Sequence, residues 1–279
     1  CANGSFVAPH AFEIDSLDLL TEEVFGPILH VVRFDSDKLG DVIDQINNTG
    51  FGLTLGVHSR IQAFAQKVFS NTIAGNTYIN RNMVGAVVGV NPFGGRGLSG
   101  TGPKAGGPNY MQRFSQADIP VTAGRSFNVA INESKTRYGA TISSAHQALK
   151  NWQSSSIDSR LIILQQVTTD RTWLQQIDAV AREKLANPIE LPGPTGEDNQ
   201  LSVQGRGVVT LIVIQQDLFA DAEKQIASAL LCGCSVVVTA DRCHQEGLQS
   251  LQDKYAEAGL PRNLLQVAPL DNLGSLILD

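Results

Sequence analysis

The sequence has 279 residues, of which 42% are hydrophobic and 17% charged, with Lys+Arg 21 against Asp+Glu 27 and a formal net charge of −6. That length accommodates one or two domains, and the apolar fraction can bury a core, which excludes a globally disordered chain. A mildly acidic chain without a basic stripe is a poor nucleic-acid binder, and charge below the ~25% usual for soluble domains points to surfaces that are partly covered.

Along the chain, residues 6–8 and 28–34 are strand candidates by apolar content and length. Leu39, Val42, Ile43 and Ile46 recur at helical spacing and predict a helix over 39–48, stopped by Gly50-Phe51-Gly52. A strand over 53–58, a second amphipathic helix over 61–69 and a third strand over 73–79 follow. This alternation predicts a parallel α/β sheet. Nine glycines crowd residues 83–110, a density that penalises helix and strand alike, so this stretch is a loop, and loops of such length are usually functional. The texture changes near Asp118, where a domain boundary is placed; 125–131 is an isolated strand candidate. Residues 141–153 and 158–185 read as helices, and the Pro/Gly-rich 187–200 as a turn region. A βαβαβ pattern then runs from 208 to 267, its strands reading as the continuous apolar runs of a buried parallel sheet.

Several patterns carry little chemistry. Gly95-Arg96-Gly97-Leu98-Ser99-Gly100 matches G-x-G-x-x-G but lacks the strand before it and the helix after it that a dinucleotide loop needs. Cys232, Cys234, Cys243 and His244 have the wrong spacing for zinc and read as buried, inert thiols, with no nearby cation to activate Cys232. With Cys1 they form a sparse set of reduced thiols, which suits a cytoplasmic protein. The stretch 226–238 is interrupted by Ser228, Gly233 and Ser235 and falls short of the ~20 residues of a membrane span. No signal peptide is expected, and the opening Cys1-Ala2-Asn3-Gly4, without Met, reads as cut from a longer chain. Thr21-Glu22-Glu23-Val24-Phe25-Gly26-Pro27 is more informative. An acid and an aromatic two apart in extended backbone face the same way and can bind vicinal hydroxyls while stacking on a flat ring; a polar turn with a core Phe is the competing reading.

Taken together, Glu22-Glu23-Val24-Phe25-Gly26-Pro27, Asn48-Thr49-Gly50-Phe51-Gly52-Leu53-Thr54, and Asn91-Pro92-Phe93-Gly94-Gly95 with Ser99-Gly100 resemble, in order and spacing, motifs of the aldehyde dehydrogenase superfamily. The run from Gly85 to Gly95, followed by Gly-Pro-Lys-Ala-Gly-Gly-Pro-Asn-Tyr at 102–110, is similar to the glutamate-semialdehyde (1-pyrroline-5-carboxylate) dehydrogenase branch. Leu-Pro-Gly-Pro-Thr-Gly-Glu at 191–197 and the βαβ after it resemble the C-terminal domain of the bacterial bifunctional form, which has a flavin-dependent proline dehydrogenase upstream.

The resemblance implies an α/β fold. It comprises the C-terminal part of an aldehyde dehydrogenase catalytic domain (1–118), a linker with a flap strand (119–139), and a noncatalytic, degenerate Rossmann-like domain (140–279). It implies NAD as cofactor, with Glu23 on the nicotinamide ribose hydroxyls and Phe25 packed beside them. Gly85 and Ala86 would anchor the substrate's α-carboxylate through backbone N–H groups, an anion nest, and Phe93 would pack on its aliphatic part. The nucleophilic cysteine and general-base glutamate would lie upstream, so this chain alone would be inactive, and FAD would belong only to the upstream proline dehydrogenase. No metal is implied. The expected partners are glutamate γ-semialdehyde and further copies of the chain in a homo-oligomer, with no nucleic acid and no membrane span, the parent being free to associate peripherally with the inner membrane. In the C-terminal domain, Gln216 stands where the family has its oxyanion asparagine and Thr239 near where a lysine grips the adenosine ribose, which implies no NAD binding there. Two alternatives stand beside the enzyme reading: an autonomous structural or assembly module that covers the active site and supports oligomerisation or tunnelling, and an independent nucleotide-binding protein using the C-terminal βαβ.

Overall fold

The computed structural model describes residues 4–100, 102–115, 138–213, 219–240 and 242–269. The chain divides into two units, residues 1–118 with 191–199, and residues 119–190 with 200–279. The flap strand expected at 125–131 and the position Gln216 lie outside the described residues.

In the first unit, β1 (His10–Glu13) pairs in parallel with β2 (Ile28–Val31), His10 opposite Ile28. The strand lies later than the apolar run at 6–8, because pairing with β2 selects His10–Glu13, while Phe6 stays 76% exposed. Helix α1 (Leu39–Asn48) falls where the spacing predicts, with Leu39 and Ile43 buried. After it come β3 (Phe51–Gly52), β4 (Thr54–Val57), α2 (Gln62–Asn71) and β5 (Asn76–Ile79). β4 and β5 are parallel, so β4–α2–β5 is a crossover unit. A short β6 (Arg96–Gly97) pairs antiparallel with β3. The small core is Leu39, Ile43, Val57, Ala65 and Val68, flanked by Leu55 and Phe64. One amide ties its two helices: Asn47 donates to Asn71 O at 2.7 Å and accepts from Ile73 N at 3.0 Å. That satisfies a carbonyl at the end of α2 that helix geometry leaves open. All four β1 residues, Phe12 among them, are exposed, as is Leu29 of β2, whereas parallel strands are ordinarily covered on both faces.

The second unit begins with α3 (Gly139–Gln153), α4 (Ile157–Val167) and α5 (Arg171–Leu185). The single helix expected over 158–185 is two helices. Thr168 N closes the last turn on Leu164 O, and Asp170 caps the next helix by accepting from Trp173 N at 3.0 Å. A two-stranded ribbon of β7 (Ile189–Leu191) and β8 (Asn199–Leu201) occupies the expected turn region. Then come β9 (Val208–Val213), α6 (Phe219–Leu231), β10 (Ser235–Ala240), α7 (Arg242–Glu257) and β11 (Leu265–Pro269), the strands parallel in the order β11-β10-β9.

Every β10 residue is buried, and the period-two alternation sorts them. Val236, Val238 and Ala240 pack with Leu164, Leu174, Ile226, Leu230 and Leu248 of α4 to α7. Val237 faces the opposite layer, with Tyr138 and Ala145 at α3. Among the described residues no helix is long and apolar enough to cross a membrane.

Candidate functional site

The glycine-rich loop is built outward from the end of β5. Asn80 leaves the strand with a positive φ of 57° and pairs through its amide with Ser59 N and O, both at 2.9 Å. Asn82 Oδ1 accepts from Val84 N at 3.1 Å. Gly85 then takes φ 70°, a conformation that side chains with Cβ seldom adopt. Gly85 is exposed and Ala86 half-buried, and neither N–H donates to a protein acceptor among the described residues. A turn closes the loop: Asn91 N reaches Val87 O at 2.8 Å, and the buried Asn91 side chain accepts from Val87 N at 3.3 Å.

Beyond the turn, Phe93 pairs with Ala105 through two backbone hydrogen bonds of 3.0 and 2.9 Å. The Asn76 side chain is the hub of this arm. It donates to Pro92 O at 2.9 Å and accepts from Gly94 N at 3.2 Å and from Lys104 Nζ at 2.9 Å. Lys104 also donates to Gly75 O. Gly85, Ala86 and Phe93 thus share one continuous loop, with Phe93 37% exposed. Residues 95–100 form β6 and a turn rather than a strand-to-helix junction, as the flanking residues predict.

Glu23 and Phe25 lie in a segment without helix or strand that leads into β2. Both are exposed, and the Phe25 ring is 93% bare, so it is not the core residue of the competing sequence reading. No hydrogen bond among the described residues joins either of them to the glycine-rich loop.

Burial pushes the Lys104 ammonium down to about 8, with the positive charge of Arg96 adding to the effect. Arg96 is itself lowered by burial. The folded state therefore disfavours the proton that the unfolded chain holds up to the ordinary lysine value of 10.5, and stability rises as pH climbs from about 8 towards 10.5. An NMR titration of the lysine side chains is expected to place Lys104 at about 8, and Lys104→Met to remove that transition. A Lys104 that titrates with the exposed lysines would contradict the burial.

In the second unit Thr239 is fully buried in β10, and its hydroxyl has no hydrogen-bond partner among the described residues. Arg160 Nη1 donates to Leu231 O, beside Cys232, which corrects the expectation that no cation lies near that thiol. The thiol is nonetheless pushed up, by desolvation first and Cys234 next, against the opposing pull of Arg160. The residue has exposed surface, yet the thiol is held away from its reactive form. Among the described residues no cluster of three or more His, Cys, Asp and Glu could hold a metal ion.

Sequence reasoning missed Asn76, Lys104 and Asn91, which shape the loop. Apart from the Val87–Asn91 contact within the loop, their partners lie far along the chain, and the signal was confined to Asn91 and Lys104 standing inside glycine-rich motifs.

Residues 1–119 match the model of the aldehyde dehydrogenase family. The chain is 38% identical over 275 residues to the bifunctional protein PutA of Escherichia coli K12, covering 97% of this chain and 19% of that protein. It is 41% identical over 237 residues to PutA of Klebsiella aerogenes, covering 84% of this chain and 17% of the relative. A 1-pyrroline-5-carboxylate dehydrogenase of Oceanobacillus iheyensis is 41% identical over 121 residues, 42% of this chain and 22% of that protein. Among solved structures, a Bradyrhizobium japonicum proline utilization A variant matches 40% of this chain and 11% of its own at 62% identity, with a TM-score of 0.39. The chain thus spans about a fifth of the length of the curated relatives it matches. Residues 1–119 are thus an aldehyde dehydrogenase family domain.

Proposed function

We propose that this chain is part of an NAD-dependent glutamate γ-semialdehyde (1-pyrroline-5-carboxylate) dehydrogenase within a bifunctional proline-catabolic enzyme. The observation that carries the reading is the extent of the match. Similarity to PutA of Escherichia coli runs over 97% of the chain, whereas similarity to the 1-pyrroline-5-carboxylate dehydrogenase of Oceanobacillus iheyensis covers 42%. The second unit therefore follows the bifunctional type. The bare β1 and the exposed Leu29 of β2 also suit a catalytic domain whose remaining strands and helices come from preceding residues, including the nucleophilic cysteine and general-base glutamate.

In this reading the exposed Glu23 carboxylate accepts hydrogen bonds from the nicotinamide ribose hydroxyls, and the bare Phe25 ring supplies a flat apolar surface beside them. NAD, when bound, accepts the hydride of aldehyde oxidation. The open N–H groups of Gly85 and Ala86 receive the substrate's α-carboxylate, and Phe93 borders its methylene chain. The second unit has a structural role, covering the active site or supporting assembly. Thr239 suits that role, since a side chain sealed in the core cannot grip a ribose.

The test is steady-state kinetics of the natural full-length enzyme. Glu23→Ala is expected to raise KM for NAD by roughly tenfold, the value of one charge-assisted hydrogen bond pair. Unchanged NAD kinetics would remove Glu23 from the cofactor site, and failure of the wild type to oxidise glutamate γ-semialdehyde would overturn the substrate.

A further inference from the structure

Residues 191–199 lie beyond the 1–119 family match, yet they belong to the first unit. They touch the glycine-rich loop at two points. Glu197 Oε2 meets Arg81 Nη1 at 2.9 Å, with the two side chains only 31% and 28% exposed. The Arg81 guanidinium also lies over the buried Tyr78 ring, 5.3 Å from centroid to guanidinium carbon. The second point is Asn199, whose Oδ1 accepts from Asn91 Nδ2 at 3.3 Å. Asn91 in turn accepts from Val87 N at 3.3 Å. The segment is braced within itself: Glu197 N donates to Pro194 O at 3.1 Å, and Asn199 Nδ2 to Pro192 O at 3.4 Å.

These contacts bracket the proposed anion nest. Arg81 precedes Gly85 and Ala86, and Val87 follows them, so one segment holds both ends of the same short stretch. A lone, partly exposed ion pair contributes little. Two anchors on either side of a glycine with positive φ do more, because they limit how far the N–H groups between them can turn away. Resting on the function proposed above, we infer that Glu197 and Asn199 are positioning residues that strap the Gly85–Ala86 turn in the shape that receives the substrate carboxylate. The C-terminal region would then set the specificity of a site that the family domain otherwise builds.

The experiment uses the natural full-length enzyme and two aldehydes, glutamate γ-semialdehyde and pentanal, which lacks the α-carboxylate. The double variant Glu197→Gln/Asn199→Ala is expected to raise KM for the semialdehyde roughly tenfold, within the ~hundredfold that an ångström of misplacement can cost. The kcat, the KM for NAD and the kinetics with pentanal are expected to stay at wild-type values. The exchanged pair Arg81→Glu/Glu197→Arg is expected to recover much of the KM that either single exchange loses. Amide hydrogen exchange at Val87 is expected to accelerate in the double variant. An unchanged semialdehyde KM, an equal loss with both aldehydes, or unchanged exchange at Val87 each overturns the strap. A wild-type enzyme that handles both aldehydes alike instead overturns the carboxylate reading beneath it, so the two failures are distinguishable.

Discussion

Arg160→Met is expected to destabilise the second unit by about 3–5 kcal/mol. The Arg160 guanidinium, in a residue 7% exposed, donates to Trp152 O at 3.0 Å and Gln153 O at 2.9 Å at the end of α3, and to Leu231 O at 3.0 Å at the end of α6. A fourth bond goes to Ser155 Oγ at 3.0 Å. The last carbonyls of a helix have no partner within it, and here one planar fork serves two helix ends at once. Met keeps the apolar stem but leaves those carbonyls in a dry environment. Lysine cannot reproduce the fork, so Arg160→Lys is expected to recover only part of the loss. Both tryptophans, Trp152 and Trp173, lie in this unit. Urea unfolding followed by tryptophan fluorescence therefore reads the effect directly; a loss below about 1 kcal/mol would mean that water replaces the guanidinium.

Gly75→Ala is expected to cost the first unit about 2–3 kcal/mol, the upper range for overpacking. A Cβ at this position falls on the Gly94 carbonyl oxygen and 2.9 Å from Gly95 Cα, both backbone atoms of the loop arm, so relief requires moving the arm itself. The Lys104 bond to Gly75 O and the Asn76 bonds to Pro92 and Gly94 would be strained together. Amide exchange at Phe93, Gly94 and Ala105 is expected to speed up. Gly40→Ala is the control: it lies in α1 with nothing within 4 Å of the added Cβ, and is expected to stabilise by about 0.5–1 kcal/mol through helix propensity. If the two variants behave alike, the close approach at Gly75 is not what seats the arm.

The parts of the fold that were legible in sequence are those where a single element carries its own signal. The spacing of Leu39, Val42, Ile43 and Ile46 gave α1 its bounds, and the apolar Val236-Val237-Val238 within β10 announced a strand covered on both faces. The break between α4 and α5 was not legible, because the apolar rhythm continues on both sides of Thr168-Thr169-Asp170 and masks the cap. The position of β1 was missed for a different reason: apolar density marks 6–8, but the partner strand chooses the register.

In the candidate site, Glu23, Phe25, Gly85, Ala86 and Phe93 came from motif resemblance, which names residues without explaining what holds them. The holding is done by Asn76, Asn91, Lys104 and Arg81, polar residues whose partners stand 4 to 116 positions away. No local pattern encodes such pairs, because they come into being only when β5, the loop and the 191–199 segment meet.

The order of synthesis gives that segment a further meaning. Arg81 emerges from the ribosome 116 residues before Glu197, and Asn91 emerges 108 residues before Asn199. A chain made at ~5–20 residues per second leaves the loop without its fasteners for several seconds, while α3, α4 and α5 are still being added. The first unit is therefore finished only after α3, α4 and α5 of the second have been made, and ribosome-bound nascent chains that stop short of Asn199 would carry an open loop.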